Sequence, residues 1–541
     1  MSSRKPPPAQ CTGTPRQSRR SFLRSLSTLG MGVAVGRSLR TVHAAAPTVA
    51  ARVWVTSAPP PPARAPTLTV VNRGGTDDDL ALLSFYERAR PDVVEIFRCT
   101  RERFGAAPMS RVVDHPQIAE LAQRHGWIHL GGPMLGDVGP NRARVWVRTL
   151  RPARVTVQVE TAHGRQVFGP VEANEETDCT AVVRITDLSP DGEFPYQVFV
   201  DGQPIPQPPG ATIRTLPDSR RPARVRIVIG ADFHKSGLQN PRLFHQILQR
   251  RPHAVLLLGD LAAGDRNHCV GLHRSDYLLR DLSFPWRELV ARVPVYAVWD
   301  DHDYFNNDRS GIPPGCTDAH RRAVRQVWME NWNNPAYGSD DAGGIYFRTR
   351  IGPCDVVMLD SRYFRDPNIP LDPNEVSAPQ ENSKPISPRF LGLEQSRWLA
   401  EQLRECRGPF LLLSCGTMWT DWVSKGKDSW GVWDPAGRER LFRWLDRAGW
   451  TTLLVSGDRH GARGFRIPRP TGREFYEFNS ALLGGHPGPA AWVQDCPDQM
   501  FGFVETIAFG ELELDSTTSP HTATWRLIHE DGAELARVTI E

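Results

Sequence analysis

Trp299-Asp300-Asp301-His302-Asp303 is the stretch on which the reading of this chain turns. It follows an apolar run, Val293-Pro294-Val295-Tyr296-Ala297-Val298, that reads as a buried strand. Three acids and a histidine at the end of a core strand are costly to keep unless something uses them. Three other runs end the same way. Val225 to Ala231 leads into Asp232-Phe233-His234, and Ala254 to Leu258 leads into Gly259-Asp260. Thr452 to Ser456 leads into Gly457-Asp458-Arg459-His460. In open α/β sheets, ligands bind in the crevice outside the carboxyl ends of the strands. Four strand ends that deliver Asp or His to one crevice make a site for hard cations.

The spacing suits a pair of ions, which in two-metal hydrolases lie about 3.5–4 Å apart. Asp232 and His234, two apart on an extended segment, can reach one ion. Asp260 follows a glycine that lets the backbone turn closely, and it is the natural bridge. Asp301 can serve the second ion, and His302 then faces the crevice beside it. Asp458 and His460 repeat the Asp-x-His spacing from the far side of the sheet. Each short motif alone is weak, since Asp-x-His is more often a solvated turn. Their strength lies in four such ends in order, each after an apolar run.

The chain has 541 residues, too many for one ordinary domain, and 40% are hydrophobic and 23% charged, a soluble globular balance. A net charge of +4, with no basic stripe beyond the N-terminus, argues against dedicated nucleic-acid binding. The nine cysteines include no Cys-x-x-Cys spacing, which disfavours a zinc ribbon or thioredoxin-like motif and suits small buried hydrophobes.

Along the chain, Ser18-Arg19-Arg20-Ser21-Phe22-Leu23, an apolar segment to Gly36 and Ala44-Ala45-Ala46 resemble a twin-arginine (Tat) export signal over 1–46. The apolar segment is short and broken by Arg24, so no membrane span is expected in the mature protein. A periplasmic or secreted location follows, with the Tat machinery as a partner. Residues 47–66 read as a Pro/Ala linker. Helices are expected from Asp77 and from His115, and the role of 67–128 is not legible. From 129 to 217 the pattern alternates with period two, as in Arg144–Arg148, Arg154–Glu160, Ala181–Ile185 and Tyr196–Val200. Short strands at this spacing predict an all-β, immunoglobulin- or fibronectin-like sandwich acting as a structural companion. After a hinge at 218–223, strands alternate with helices at Pro241–Arg250, Thr317–Asn331, Leu393–Cys406 and Ala436–Ala448. That predicts a layered α/β domain over 224–541, closed by strand-like patterning from Phe501. Two insertions read as lids or as packing over the core edge. One spans 366–389 and is proline-rich; the other spans 417–434 and holds Trp419, Trp422, Trp430 and Trp433.

Asp-x-His, Gly-Asp, an acid/amide–His–acid segment and Gly-x-x-His, in that order, resemble the calcineurin-like metallophosphoesterases. Trp299 to Asp303 with Asn306-Asn307-Asp308 resembles the PhoD-like alkaline phosphatase family in particular. So do Leu359-Asp360-Ser361-Arg362, Leu391-Gly392 to Trp398-Leu399, and Ser456 to His460. The resemblance covers roughly 130–510 and implies an α+β sandwich of metallophosphoesterase type. It also implies an exported phosphatase that hydrolyses phosphate mono- or diesters by a metal-bound hydroxide at a dinuclear site. On that likeness Asp232, His234, Asp260 and His460 would hold one ion, and Asp260, Asp301 and Asp458 the other. His302 would protonate the leaving oxygen, and Arg362 would bind phosphate or pair with Asp360.

This chain departs from the family at two points. Well-known members place an iron-binding Cys near the first strand end and a Tyr three residues after the Gly-Asp acid; here Asp232 and Ala263 stand there. The donors that remain suit two ions drawn from Fe, Zn, Mn or Ca. The superfamily's histidine after a later strand is also missing, leaving Cys415, Thr417 or water in its place. Two other readings compete. One is an exported binding or surface protein that uses its sandwich on an inactive hydrolase scaffold. The other is a metallo-β-lactamase type, whose His-x-His-x-Asp-His cluster is absent from the sequence.

Overall fold

The computed structural model describes residues 51–56, 76–85, 90–104, 112–261, 266–366, 390–423, 428–479, 482–485 and 487–541. The twin-arginine segment, Ala263 and the proline-rich insertion from 367 to 389 lie outside the described residues.

The apolar runs of the sequence become parallel strands at one end of a seven-stranded sheet and in the body of a second. In the first, Arg224–Gly230, Ala254–Leu257 and Val295–Ala297 run parallel. The C-terminal strands Ala508–Asp515, Thr522–His529 and Glu534–Ile540 extend it antiparallel, so the strand-like tail does close a sheet. In the second, Cys354–Met358, Phe410–Cys415, Thr451–Ser456 and Glu474–Asn479 run parallel. The strands are largely buried because both faces are covered, and Phe410–Cys415 is the most apolar of them. Alternation sorts their side chains. Leu412 of Phe410–Cys415 joins the large core shared with the first sheet, while Leu411, Leu413 and Cys415 join a second core. Helices Gly392–Glu405 and Pro435–Leu445 cover that outer face through Leu399, Leu403, Phe442 and Leu445. Between the sheets, the rings of Phe478 and Trp525 stack with centroids 4.5 Å apart. The result is a mixed α/β sandwich with the carboxyl ends of both parallel sets at one edge.

The period-two region forms two antiparallel sheets of three and five strands. Its core is continuous with the sandwich beside it: Val145, Val157 and Val198 belong to the same cluster as Leu256 and Val295. Buried polar contacts cross the boundary as well. Trp146 Nε1 donates to Glu330 O at 2.8 Å, and Tyr196 Oη donates to Ala291 O at 3.0 Å. The edge strand Gly164–Ala173 was not legible, because its residues are mostly exposed.

Two readings change upstream. Residues 52–55, assigned to the linker, form strand Arg52–Val55, which pairs antiparallel with Glu534–Ile540 at the sheet edge. Four residues between proline-rich segments carry too little pattern to announce a strand. The segment 67–128 acquires a role. Its helices Thr76–Phe85, Pro91–Phe104 and Pro116–His125 share a core with Leu278, Leu279 and Leu282 of helix Val270–Leu282. Asp79 also reaches inward: its Oδ1 lies 2.6 Å from Lys235 Nζ and its Oδ2 3.2 Å from Arg101, all three buried. Lys235 follows His234 directly, so this N-terminal layer supports the first strand end.

Within the second insertion, Trp419 and Trp430 are buried and stack with centroids 5.0 Å apart. These two tryptophans cap the outer core and are not walls of an open crevice.

Candidate metal centre

The four strand ends converge so closely that side chains other than hydrogen are excluded at two places. A Cβ on Gly259, whose φ is +103°, would stand 2.5 Å from the backbone nitrogen of Asp300. A Cβ on Gly457 would stand 2.8 Å from both Ala231 Cβ and Gly416 O, and 2.9 Å from Leu258 O. Backbone bonds stitch the ends together: Asp232 N donates to Gly259 O at 3.2 Å, and His234 N donates to Asp260 O at 3.0 Å. Asp232, His234, Asp260, Asp458 and His460 all have positive φ, between 41° and 68°. Non-glycine residues in this region are strained and persist where their surroundings over-determine them, often at functional sites.

These turns bring the sequence-selected residues together. Ligand atoms of Asp232, His234, Asp260 and His460 lie within 4.8 Å of one another, and so do those of Asp260, Asp301 and His302. Asp458 groups with Asp300 and Asp301 under the same limit. Asp260 is the member common to the first two groups, which is the placement expected of a bridge. His302 can reach an ion beside Asp260 and Asp301, so its position accommodates ligation as well as proton donation.

The chemistry of the donors fits cations. Asp232, Asp260, Asp300 and Asp301 are all almost completely buried. Neither carboxylate oxygen of Asp260 accepts a hydrogen bond from a described residue, nor does Oδ1 of Asp232. Buried carboxylates without partners are expensive, and they neutralise by taking up a proton or a metal. Burial pushes Asp232 up to about 6, with His460 opposing and Asp458 adding to the rise. Burial also holds Asp260 well above the usual carboxylate range, and the neighbouring Asp301, Asp300, Asp232 and Asp303 add to it. Asp458 is raised by burial too. Asp301 differs: burial raises it, but Arg362 and His302 outweigh that and hold it below its ordinary value.

The residues around these donors fix them. Asp303 Oδ2 accepts from Asp260 N at 2.6 Å and from Asp300 N at 3.2 Å, and its Oδ1 accepts from Leu261 N at 3.1 Å. Asp303 thus clamps two strand ends, a role hidden in the sequence because it depends on a loop 43 residues earlier. Asp301 Oδ1 accepts from His302 N at 2.8 Å, and Oδ2 accepts from Asp308 N at 2.7 Å.

Arg362 is placed differently from the substrate-binding role given to it. Its guanidinium is fully buried; Nε and Nη2 donate to Asp300 Oδ1 and Oδ2, each at 2.7 Å, and Nη2 also lies 2.5 Å from Asp428 Oδ2. It clamps two acids under the crevice. The alternative pairing with the Asp360 carboxylate is absent too, since Asp360 accepts from the backbone nitrogens of Arg362 and Tyr363, both at 2.9 Å. Asp428, which Arg365 also pairs, gave no sequence signal because it sits in the tryptophan-rich insertion.

The two candidates for the missing histidine also separate. Cys415 points into the outer core, where burial pushes its thiol up, so it is no ligand for this crevice. Thr417 Oγ1 lies 2.9 Å from Asp458 Oδ2 and orients that carboxylate.

Residues 269–518 match the PhoD-like phosphatase family. Residues 129–218 match a domain of unknown function (DUF7800). A solved structure described as "Structure of PhoD" covers 76% of this chain and 89% of its own, at 16% identity and a TM-score of 0.60. The purple acid phosphatase PPD1 from seeds of yellow lupin (Lupinus luteus) covers 76% of this chain and 74% of its own, at 13% identity and a TM-score of 0.51. At these identities the likeness is one of fold. No curated protein matches the sequence. Asp232, His234 and Asp260 precede the family match; Asp301, His302, Arg362, Asp458 and His460 fall inside it.

Proposed function

We propose that this chain, whose residues 269–518 match the PhoD-like phosphatase family, is a metal-dependent phosphoric ester hydrolase that cleaves phosphate monoesters or diesters at a two-ion centre after export. The observation that carries this reading is Asp260, whose two buried carboxylate oxygens accept no hydrogen bond from a described residue and stand between two groups of donors. Asp232, His234, Asp260 and His460 would hold one ion, and Asp260, Asp301 and Asp458 the other. When bound, such a pair lowers the pKa of an attacking water and neutralises charge on the phosphoryl oxygens.

The rest of the work falls to the chain's own groups. Asp303 holds the turns that carry Asp260 and Asp300. Arg362 neutralises Asp300 and Asp428 from below, so two charges beneath the crevice do not repel an anionic substrate. His302, only partly buried, gives its proton to the departing ester oxygen. The immunoglobulin- or fibronectin-like domain serves as a rigid companion through its shared core. Among the described residues no helix is long and apolar enough to cross a membrane. Export rests on Arg19 and Arg20.

The direct test pairs metal analysis of the purified protein with hydrolysis of p-nitrophenyl phosphate and bis(p-nitrophenyl) phosphate. At least two ions per chain and chelator-sensitive turnover are expected; turnover that survives complete removal of metal would overturn the proposal. Replacing Arg19 and Arg20 together by Lys should leave folded, active precursor in the cytoplasm, and normal delivery of that variant across the membrane would refute the Tat reading.

A further inference from the structure

We propose that His268, Cys316 and His320 form a separate site for a borderline-soft divalent ion of the zinc class, on the surface beside the phosphatase crevice. Ligand atoms of these three residues lie within 4.8 Å of one another. The separation between His268 Nδ1 and Cys316 Sγ is 3.8 Å. Zinc binds imidazole at about 2.0 Å and thiolate at about 2.3 Å, which makes the N–S edge of a tetrahedron roughly 3.5 Å. The two imidazole rings stand face to face, with centroids 4.2 Å apart and planes within 11°.

The placement follows from local structure. Cys316 and His320 are four apart, one helical turn, across the start of helix Asp318–Asn331. Thr317 caps that helix, its Oγ1 accepting from His320 N at 3.4 Å. His320 Nδ1 takes a long 3.3 Å contact from Thr317 N, which ligation can displace at small cost. His268 comes from the loop before helix Val270–Leu282. Unlike the buried cysteines 354 and 415, Cys316 is partly exposed, as a thiolate ligand open to an incoming ion must be. A thiolate with two imidazoles selects zinc-like ions over the calcium and magnesium class, and three protein donors leave the fourth position to water. The neighbouring residue Asn267 ties this loop to the crevice: its N–H donates to Phe305 O at 2.8 Å. An ion held here would join two helix starts at the rim without touching the donors of the catalytic centre.

The test uses the full chain, stripped of metal and reloaded with Co2+, which reports thiolate ligation by a near-ultraviolet charge-transfer band. Carboxylate and imidazole donors give no such band, so the result is independent of whether the two-ion reading above holds. The wild-type chain should show the band by three equivalents, enough to fill the two-ion centre as well, and Zn2+ should displace it. Cys316→Ser should abolish the band, His268→Ala and His320→Ala should each weaken Co2+ binding at this site at least tenfold, and Cys269→Ser should leave it unchanged. Absence of the band in the folded wild-type chain, or its persistence in Cys316→Ser, would overturn the proposal and leave an S–H hydrogen bond to His268 as the explanation of the contact.

Discussion

Asp260→Asn separates a metal bridge from an ordinary buried acid, because it acts in opposite directions on ion binding and on stability. The substitution keeps the shape and loses no hydrogen bond to a described residue, since neither oxygen of Asp260 accepts one. What changes is one negative charge between two cations. A unit charge pair about 4 Å apart at an effective dielectric of about 20 is worth about 4 kcal/mol. At about 1.4 kcal/mol per decade, at least one ion should bind roughly 10³-fold more weakly. In the metal-free protein the sign reverses. Burial and four neighbouring acids make the Asp260 charge unfavourable, so removing it should raise the melting temperature of the stripped chain. The assay is metal stoichiometry by elemental analysis, turnover, and thermal melts with and without a chelator. The wild-type number of ions per chain with near-normal turnover would move the bridge elsewhere. A stripped variant that melts lower than the stripped wild type would show that Asp260 is structural.

Two other outcomes follow from the same geometry. His302→Ala should slow an alkyl phosphate ester by about 10²–10⁴-fold, the usual contribution of a positioned acid. It should slow the p-nitrophenyl analogue far less, because that leaving group needs no proton; equal losses, or loss of an ion, would make His302 a ligand or a packing residue. Burial pushes Asp232 and Asp303 up to about 6, above an ordinary value of 3.8. A carboxyl raised in the folded state supports the fold at low pH and loses that support as pH rises through the folded value. Asp276 and Asp428, lowered despite burial by their arginine and lysine partners, act only at more acid pH. The metal-free chain should therefore lose melting temperature between about pH 4 and 6, and the loaded chain should not; equal profiles would refute the assignment of Asp232 to a cation site.

The donors were legible because their signal is local. An apolar run followed by Gly-Asp or Asp-x-His reads the same in sequence as in the fold, and Asp232, His234, Asp260, Asp301, Asp458 and His460 all lie at such ends. The residues that brace them were not legible. Arg362 meets Asp300 from 62 positions away, and no local pattern links them. Asp303 stood inside the quoted stretch, but the N–H groups that donate to it belong to the turn of another strand end. Helix Pro91–Phe104 was missed because arginines and acids interrupt its apolar stripe, although Ile96, Phe97 and Phe104 are buried. Thr417 was offered as a stand-in for a missing ligand; in the fold its hydroxyl serves another ligand's carboxylate.

The contact between Asp79 and Lys235 sets the smallest piece of this chain that can work. Lys235 is completely buried beside His234, and Asp79 and Asp276 are the carboxylates within salt-bridge distance of it. Removing one partner of a buried ion pair costs about 3–5 kcal/mol, a large share of a domain's net stability. A fragment cut at the sandwich would leave that ammonium with the more distant Asp276 alone, and one cut at the start of the family match would lose Lys235 and His234 themselves. The energetic unit therefore begins no later than helix Thr76–Phe85, well upstream of where the recognisable phosphatase sequence starts.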